Sequence, residues 1–205
     1  MSEHPILFTG PMVRAILSGA KTQTRRPVTR LSSTVPRTQN TLALAMCGDK
    51  APLDLHLDVP KPDDSSYQRV RPRVDVGDTL WVRETWGVWP HMAGFVRGAP
   101  FCYAATDAPP EPAWRWKPSI HMPRWASRIT LRITGVRVER VQEISLVDCY
   151  AEGIERPAGP QLGSVVCETD NARQKFLTIW DSCYAARGLG CAANPWVWVV
   201  EFERT

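Results

Sequence analysis

Apolar positions recur along this chain in two periods, and the period changes where glycine and proline mark a boundary. Met12, Val13, Ile16 and Leu17 fall at helical spacing behind Thr9-Gly10-Pro11, a helix start with proline at the first helical position, and Gly19 ends the stripe. Lys21 to Arg26 then reads as a strand that sends Thr22, Thr24 and Arg26 to one face and Lys21, Gln23 and Arg25 to the other. Val76-Gly77-Asp78 is a turn signal feeding Thr79 to Trp86, where Leu80 and Val82 alternate with Trp81 and Arg83, predicting a strand covered on both faces. Phe101 to Thr106 predicts a shorter strand. Ile129, Leu131 and Ile133 alternate with Thr130, Arg132 and Thr134, and after Gly135 the parity flips to Val136 and Val138, the signature of a bulge or bend in a long strand. Ser145 opens a short helix with Asp148 as capping-box partner and Gly153 as its stop, which makes Glu152 its last residue. A longer helix, about Asn171 to Tyr184, gathers Phe176, Ile179, Trp180 and Cys183 on one face, and Asn194-Pro195 then breaks into Trp196 to Phe202, apolar on both faces and so central in a sheet. From about Leu31 to Arg73 no period is sustained and Pro, Ser, Thr and Asp abound, as in a long insertion. The elements add up to an α+β chain, mainly β, built around a small curved sheet.

At 205 residues the chain fits one domain, 1–205, long enough to bury a core of its own. Its six cysteines form no C-x-x-C pair and stand at no zinc-finger spacing from histidine, so free thiols in a reducing cytosol and no metal are expected. No apolar run approaches the roughly 18 residues of a membrane span, and the N-terminal segment lacks a signal-peptide layout, so a cytoplasmic protein without a membrane partner is expected.

The net charge is only +4, yet the charge is segregated. His4 to Gly48 holds no acid but carries Arg14, Lys21, Arg25, Arg26, Arg30 and Arg37, and Pro112 to Val138 is likewise acid-free with Arg115, Lys117, Arg124, Arg128, Arg132 and Arg137. Such segregation suits a positive face for a polyanion or nucleotide. Nine tryptophans sharpen that expectation, because several interleave with cations, as in Trp114-Arg115-Trp116-Lys117 and Arg124-Trp125. Unpaired bases stack on such planes. Trp81, Trp180, Trp196 and Trp198 lie in apolar patterns and are assigned to packing, leaving Trp86, Trp89, Trp114, Trp116 and Trp125 as ligand-facing candidates.

Chemistry concentrates in Gly19-Ala20-Lys21-Thr22-Gln23-Thr24-Arg25-Arg26, which sets an amine, two hydroxyls and two guanidiniums directly after a helix end. The same octet also suits a plain helix terminus whose cations offset the negative end of the dipole. Glu152 is a second anomaly, since a carboxylate at a helix C-terminus is disfavoured by up to about 1 kcal/mol. Glu84 and His121 are further polar candidates, His121 without a sequence-near partner for acid–base work.

The order of these landmarks resembles a known family. A helix, Gly-x-Lys-Thr-x-Thr-Arg, then Val-Gly-Asp-x-Leu-Trp-Val-Arg-Glu, a long Arg-rich strand, a short helix ending Ala-Glu-Gly and a closing Trp-Val-Trp-Val-Val-Glu-Phe strand is similar to the ASCH family of the PUA-like superfamily, in particular its long phage and prophage variant, in which Pro118 to Arg128 also recurs. The resemblance covers the chain apart from insertions near 31–73, 88–112 and 154–170. It implies a small β-barrel flanked by helices, with a cleft for single-stranded RNA or a modified nucleoside and no cofactor. It also implies hydrolysis: relatives remove the acyl group from 4-acetylcytidine with a Lys, a Thr and a Glu that correspond here to Lys21, Thr24 and Glu152, and others are described as single-strand ribonucleases. Beside these, Arg25, Arg26, Glu84, Trp86, Trp114, Trp116, His121, Arg124 and Trp125 are read from the chain's own basic, aromatic and polar positions as the substrate or nucleic-acid contacts. Two alternatives stand beside the hydrolase: a non-catalytic module that binds RNA or a nucleotide, and a phage accessory protein that acts on a host factor. Oligomeric state is left open.

Overall fold

The computed structural model describes residues 1–28, 57–60, 67–89, 101–109, 114–156 and 165–205. These form strands β1 (Glu3–Leu7), β2 (Gln23–Pro27), β3 (Leu57–Pro60), β4 (Tyr67–Val70), β5 (Thr79–Arg83), β6 (Trp86–Val88), β7 (Phe101–Tyr103), β8 (Thr130–Arg140) and β9 (Trp196–Arg204), with helices α1 (Gly10–Leu17), α2 (Leu146–Ala151) and α3 (Val165–Tyr184). The class is α+β, mainly β. The chain falls into two compact units, one of Met1–Thr22, Gly77–Ile133 and Phe202–Thr205, the other of Gln23–Val76 and Thr134–Glu201.

In the first unit β1 lies parallel to β5, and β5 pairs antiparallel with the first residues of β8, Leu80 opposite Leu131. Leu80, Val82, Leu131 and Ile133 are buried, as alternation requires. Trp81 and Arg83 are half-buried, so β5 is covered on one face rather than both, with the Arg83 guanidinium 5.5 Å from the Trp81 ring. α1 begins after Thr9 with proline in its first turn, buries Val13 and Ile16, and ends at the Ser18 cap. A separate ladder pairs β6 with β7, Gly87 opposite Cys102. Gly87 is required there, because a Cβ would run into the Trp114 ring.

In the second unit β2 pairs antiparallel with β9, Thr24 opposite Val200, and β9 also adjoins β8, so the closing strand is central as its two apolar faces predict. β8 continues through Gly135 as one strand. Glycine serves there by leaving room for Glu201, whose Oε2 would lie 2.5 Å from an added Cβ. The core joins Val141, Ile144, Cys149, Val197 and Val199 to Ala172, Phe176 and Trp180 of α3. Ile179 and Cys183, expected on that face, are exposed instead. Residues 172, 176 and 180 are spaced by four, and Ile179 sits about 100° around the helix from Trp180; Leu177 and Tyr184 complete the buried flank. The ladder of β3 with β4 falls inside the stretch read as an aperiodic insertion; strands of four residues are too short for alternation to stand out. Residues 31–56 and 61–66 of that insertion, 90–100 and 110–112 of the second and 157–164 of the third lie outside the described residues, as does Cys47.

Cys102, Cys149, Cys183 and Cys191 are free thiols. Burial pushes Cys149 up to about 11 and also raises Cys102, whereas Cys183 is exposed. Because the thiolate is the nucleophile, alkylation of the native protein at pH 8, mapped by peptide mass spectrometry, is expected to label Cys183 well before Cys149 or Cys102. Equal labelling of the three would contradict this packing. No described helix is long and apolar enough to cross a membrane.

Candidate functional site

The basic octet follows directly from the way α1 stops. Gly19 takes φ +77, a conformation that suits glycine, and the Lys21 amide then donates to the Ala15 carbonyl at 3.0 Å. This turn carries Lys21 inward. Its side chain is 2 % exposed, with Nζ 5.8 Å from the centre of the Phe8 ring in the same unit. Thr24, on β2 in the second unit, is also buried.

Alternation along β2 sends Gln23 and Arg25 toward α2, and there the second unit builds a dense ionic cluster. The Arg25 side chain is 0 % exposed and faces three carboxylates: its Nε donates to Glu139 Oε1 at 2.7 Å, its Nη1 to Glu152 Oε1 at 3.0 Å, and its Nη2 lies 3.3 Å from Asp148 Oδ2. The guanidinium also stands 5.7 Å from the Phe176 ring. Arg137 Nη2 donates to the other Asp148 oxygen at 2.9 Å, and Arg137 further pairs with Glu139 and Glu201. The Arg25 guanidinium is already committed to three carboxylates, so Arg25 is corrected from nucleic-acid contact to organiser of carboxylates. Neither is it an unbalanced cation of the kind that lowers an amine's pKa. Arg26 Nη1 donates to the Tyr184 hydroxyl at 3.2 Å.

Glu152 is the C-cap of α2, followed by Gly153 at φ +92, as the helix signals predict. The unfavourable helix-end position is offset by Arg25: the carboxylate is 6 % exposed and bonded to a buried cation. Asp148 does more than cap. Its amide donates to Ser145 Oγ at 3.1 Å, while Gln23 Nε2 donates to its carboxylate at 2.9 Å and Ser145 Oγ at 2.8 Å. Asp148 and Glu139 are not legible as site residues, because their contacts with Gln23 and Arg25 span 125 and 114 positions and leave no local spacing.

Burial pushes the Asp148 carboxyl up, but the hydrogen bonds from Gln23 and Ser145 and the charges of Arg25 and Arg137 outweigh it and hold the group below the usual range. A folded-state pKa below the unfolded one gives stability that is full above the unfolded value and is lost as pH falls through the folded one. The wild type is therefore expected to lose unfolding free energy as pH drops from 5 toward 2, and Asp148→Asn to be less stable at pH 7 with a shallower acid decline. Parallel urea-unfolding curves for the two proteins across that range would contradict the assignment.

The remaining candidates lie in the first unit. Glu84 is 1 % exposed and held in two-point contact by Arg128, with Nε to Oε1 at 2.9 Å and Nη2 to Oε2 at 3.0 Å. Arg128 also lies 3.9 Å from the Tyr103 ring and donates to Thr106 Oγ1. Trp86, expected to face ligand, is buried in a cluster with Met122 and Ala126, and this corrects it to a packing residue. Behind the misassignment lies the short β6, whose bridge to Lys117 folds the Trp-rich segment over it. Trp114 and Trp116 meet edge to face at 6.0 Å. Trp125 is exposed and packs against Trp86 and Phe101. Arg124 pairs with Glu3 at 2.9 Å, which lowers the Glu3 carboxyl. His121 sits on a short 3-10 turn, exposed to solvent. Trp89 follows the end of β6 and is half-buried. Among the described residues no group of three or more His, Cys, Asp or Glu is arranged to hold a metal ion.

Comparison with solved structures finds similarity to a crystal structure of an ASCH domain from Lactobacillus crispatus JV V101, over 99% of this chain and 79% of that one, at 11% identity and a TM-score of 0.38. No family model matches the chain. No curated protein matches it either.

Proposed function

We propose that this chain is an ASCH-type, PUA-like protein that binds RNA or a modified nucleoside and hydrolyses the acyl amide of an acylated cytidine, with Lys21, Thr24 and Glu152 as its reacting groups. The observation that carries this reading is burial: Lys21 at 2 % and Thr24 at 3 % exposure are polar residues of one short motif kept from water. Lysine is almost never fully buried without a specific reason. The ordered set of sequence landmarks that resembles the ASCH family supplies the reason.

The chemistry then runs in two steps. Thr24 Oγ is assigned the attack on the acyl carbonyl, and Lys21 Nζ the role of base for the hydroxyl proton. The C–N bond breaks as a proton reaches the leaving amine, with Glu152 as the shuttle, and cytidine departs. Water next attacks the Thr24 ester, returning the hydroxyl and releasing the carboxylic acid. Arg25 orients Glu152 from behind, as its 3.0 Å bond to Oε1 allows. A cytoplasmic place of action suits the free thiols.

Incubation with 4-acetylcytidine and, separately, with labelled single-stranded RNA, read by mass spectrometry, tests the proposal. Release of cytidine and acetate is the expected result. Shortened RNA with intact acetylcytidine would favour a ribonuclease, and no turnover of either would leave a binding module and overturn the hydrolase.

A further inference from the structure

Gln23 stands immediately before Thr24 on β2, yet its side chain is built into α2 of the same unit. The residue is 3 % exposed, and Nε2 donates twice to one residue of that helix, to the Asp148 main-chain carbonyl at 3.1 Å and to Asp148 Oδ1 at 2.9 Å. Its Oε1 accepts from Arg137 Nη2 at 3.4 Å, so the carboxamide is engaged as donor and as acceptor. The Asp148 carbonyl has a second donor. It accepts the Glu152 amide at 2.8 Å, and Glu152 is the C-cap of the helix. One oxygen therefore ties the neighbour of Thr24 to the backbone of Glu152.

α2 has six residues, well under the roughly 12–15 that a helix needs to persist alone, so its last turn depends on such tertiary contacts. Arg25 holds the Glu152 side chain at its far end, whereas Gln23 holds the main chain from which that side chain starts. We infer that Gln23 is a positioning residue for the proposed hydrolysis, setting where Glu152 stands relative to the strand that carries Thr24. Resting on the reading of Glu152 as proton shuttle to the leaving amine, this role bears on C–N cleavage rather than on the attack, since Thr24 is placed by its own pairing opposite Val200 of β9.

The leaving group separates the two steps. A departing amine needs a proton, whereas 4-nitrophenolate leaves as an anion. The test is kcat and KM for 4-acetylcytidine and for 4-nitrophenyl acetate, with the Thr24→Ala rate subtracted from the ester rate. In Gln23→Met, which keeps the length and removes the hydrogen bonds, kcat for the amide is expected to fall about 10- to 100-fold with KM within about twofold, the scale of a reacting group misplaced by about 1 Å. The ester rate should fall far less. Gln23→Glu, which removes the donors at nearly unchanged shape, should shift the amide-to-ester ratio in the same direction. Both rates come from one preparation, so their ratio does not depend on the folded fraction. An equal fall on both substrates, wild-type amide turnover in a folded variant, or failure of both variants to fold would overturn the inference alone. Inactivity of the wild type toward 4-acetylcytidine would overturn the hydrolase, and the role of Gln23 with it.

Discussion

Replacing Arg25 with alanine is expected to destabilise the protein by roughly 3–5 kcal/mol, measured by urea unfolding at neutral pH. The size follows from what is left behind. Glu152 is 6 % exposed and its Oε1 accepts from Arg25, so removing the guanidinium strands a buried carboxylate, with Asp148 and Glu139 also losing a partner. Lysine should rescue poorly. A compact ammonium cannot span the three acceptors that the planar fork reaches through Nε, Nη1 and Nη2. Glu152→Gln should cost much less, since the amide keeps an acceptor for Nη1 while Arg25 retains Glu139 and Asp148. Equal stability of wild type and Arg25→Ala would mean that the cluster is solvated rather than buried.

Alanine at Lys21, Thr24 or Glu152 is expected to abolish amide hydrolysis. Loss of a general base alone costs about 10²–10⁴-fold, and loss of the nucleophile removes the pathway. Double variants should lose little beyond the worst single one, because groups that act together are strongly non-additive. Stability separates this from a structural role. Thr24→Ala removes one hydroxyl and should remain folded, and Glu152→Gln keeps the hydrogen bond to Arg25 while losing the charge. Turnover that falls only as far as the folded fraction does would assign these residues to packing.

The parts of the fold that could be read from the sequence are those with a local cause. Proline and Gly19 bound α1, Ser145 and Gly153 bound α2, and the alternation of Leu131 and Ile133 marks β8, because each depends on neighbours within a turn or two. Arg25 shows where that reading stops. A guanidinium in a basic run looks like a phosphate contact until Glu139 and Glu152, 114 and 127 positions away, are seen to close on it. Trp86 is a like case, since its burial depends on Met122 and Ala126. Glu152 is the opposite case: its anomalous position was visible locally, and its compensation by Arg25 is tertiary.

The central claim, that Thr24 is the nucleophile of an amide hydrolase, is tested most directly by trapping its intermediate. Wild-type protein mixed rapidly with 4-acetylcytidine and quenched in acid should release cytidine and carry one acetyl group on the peptide that contains Thr24. Thr24→Ala, shown by urea unfolding to be folded, should do neither. Cytidine release by folded Thr24→Ala at the wild-type rate, or an acetyl group found only on another residue, would contradict the account.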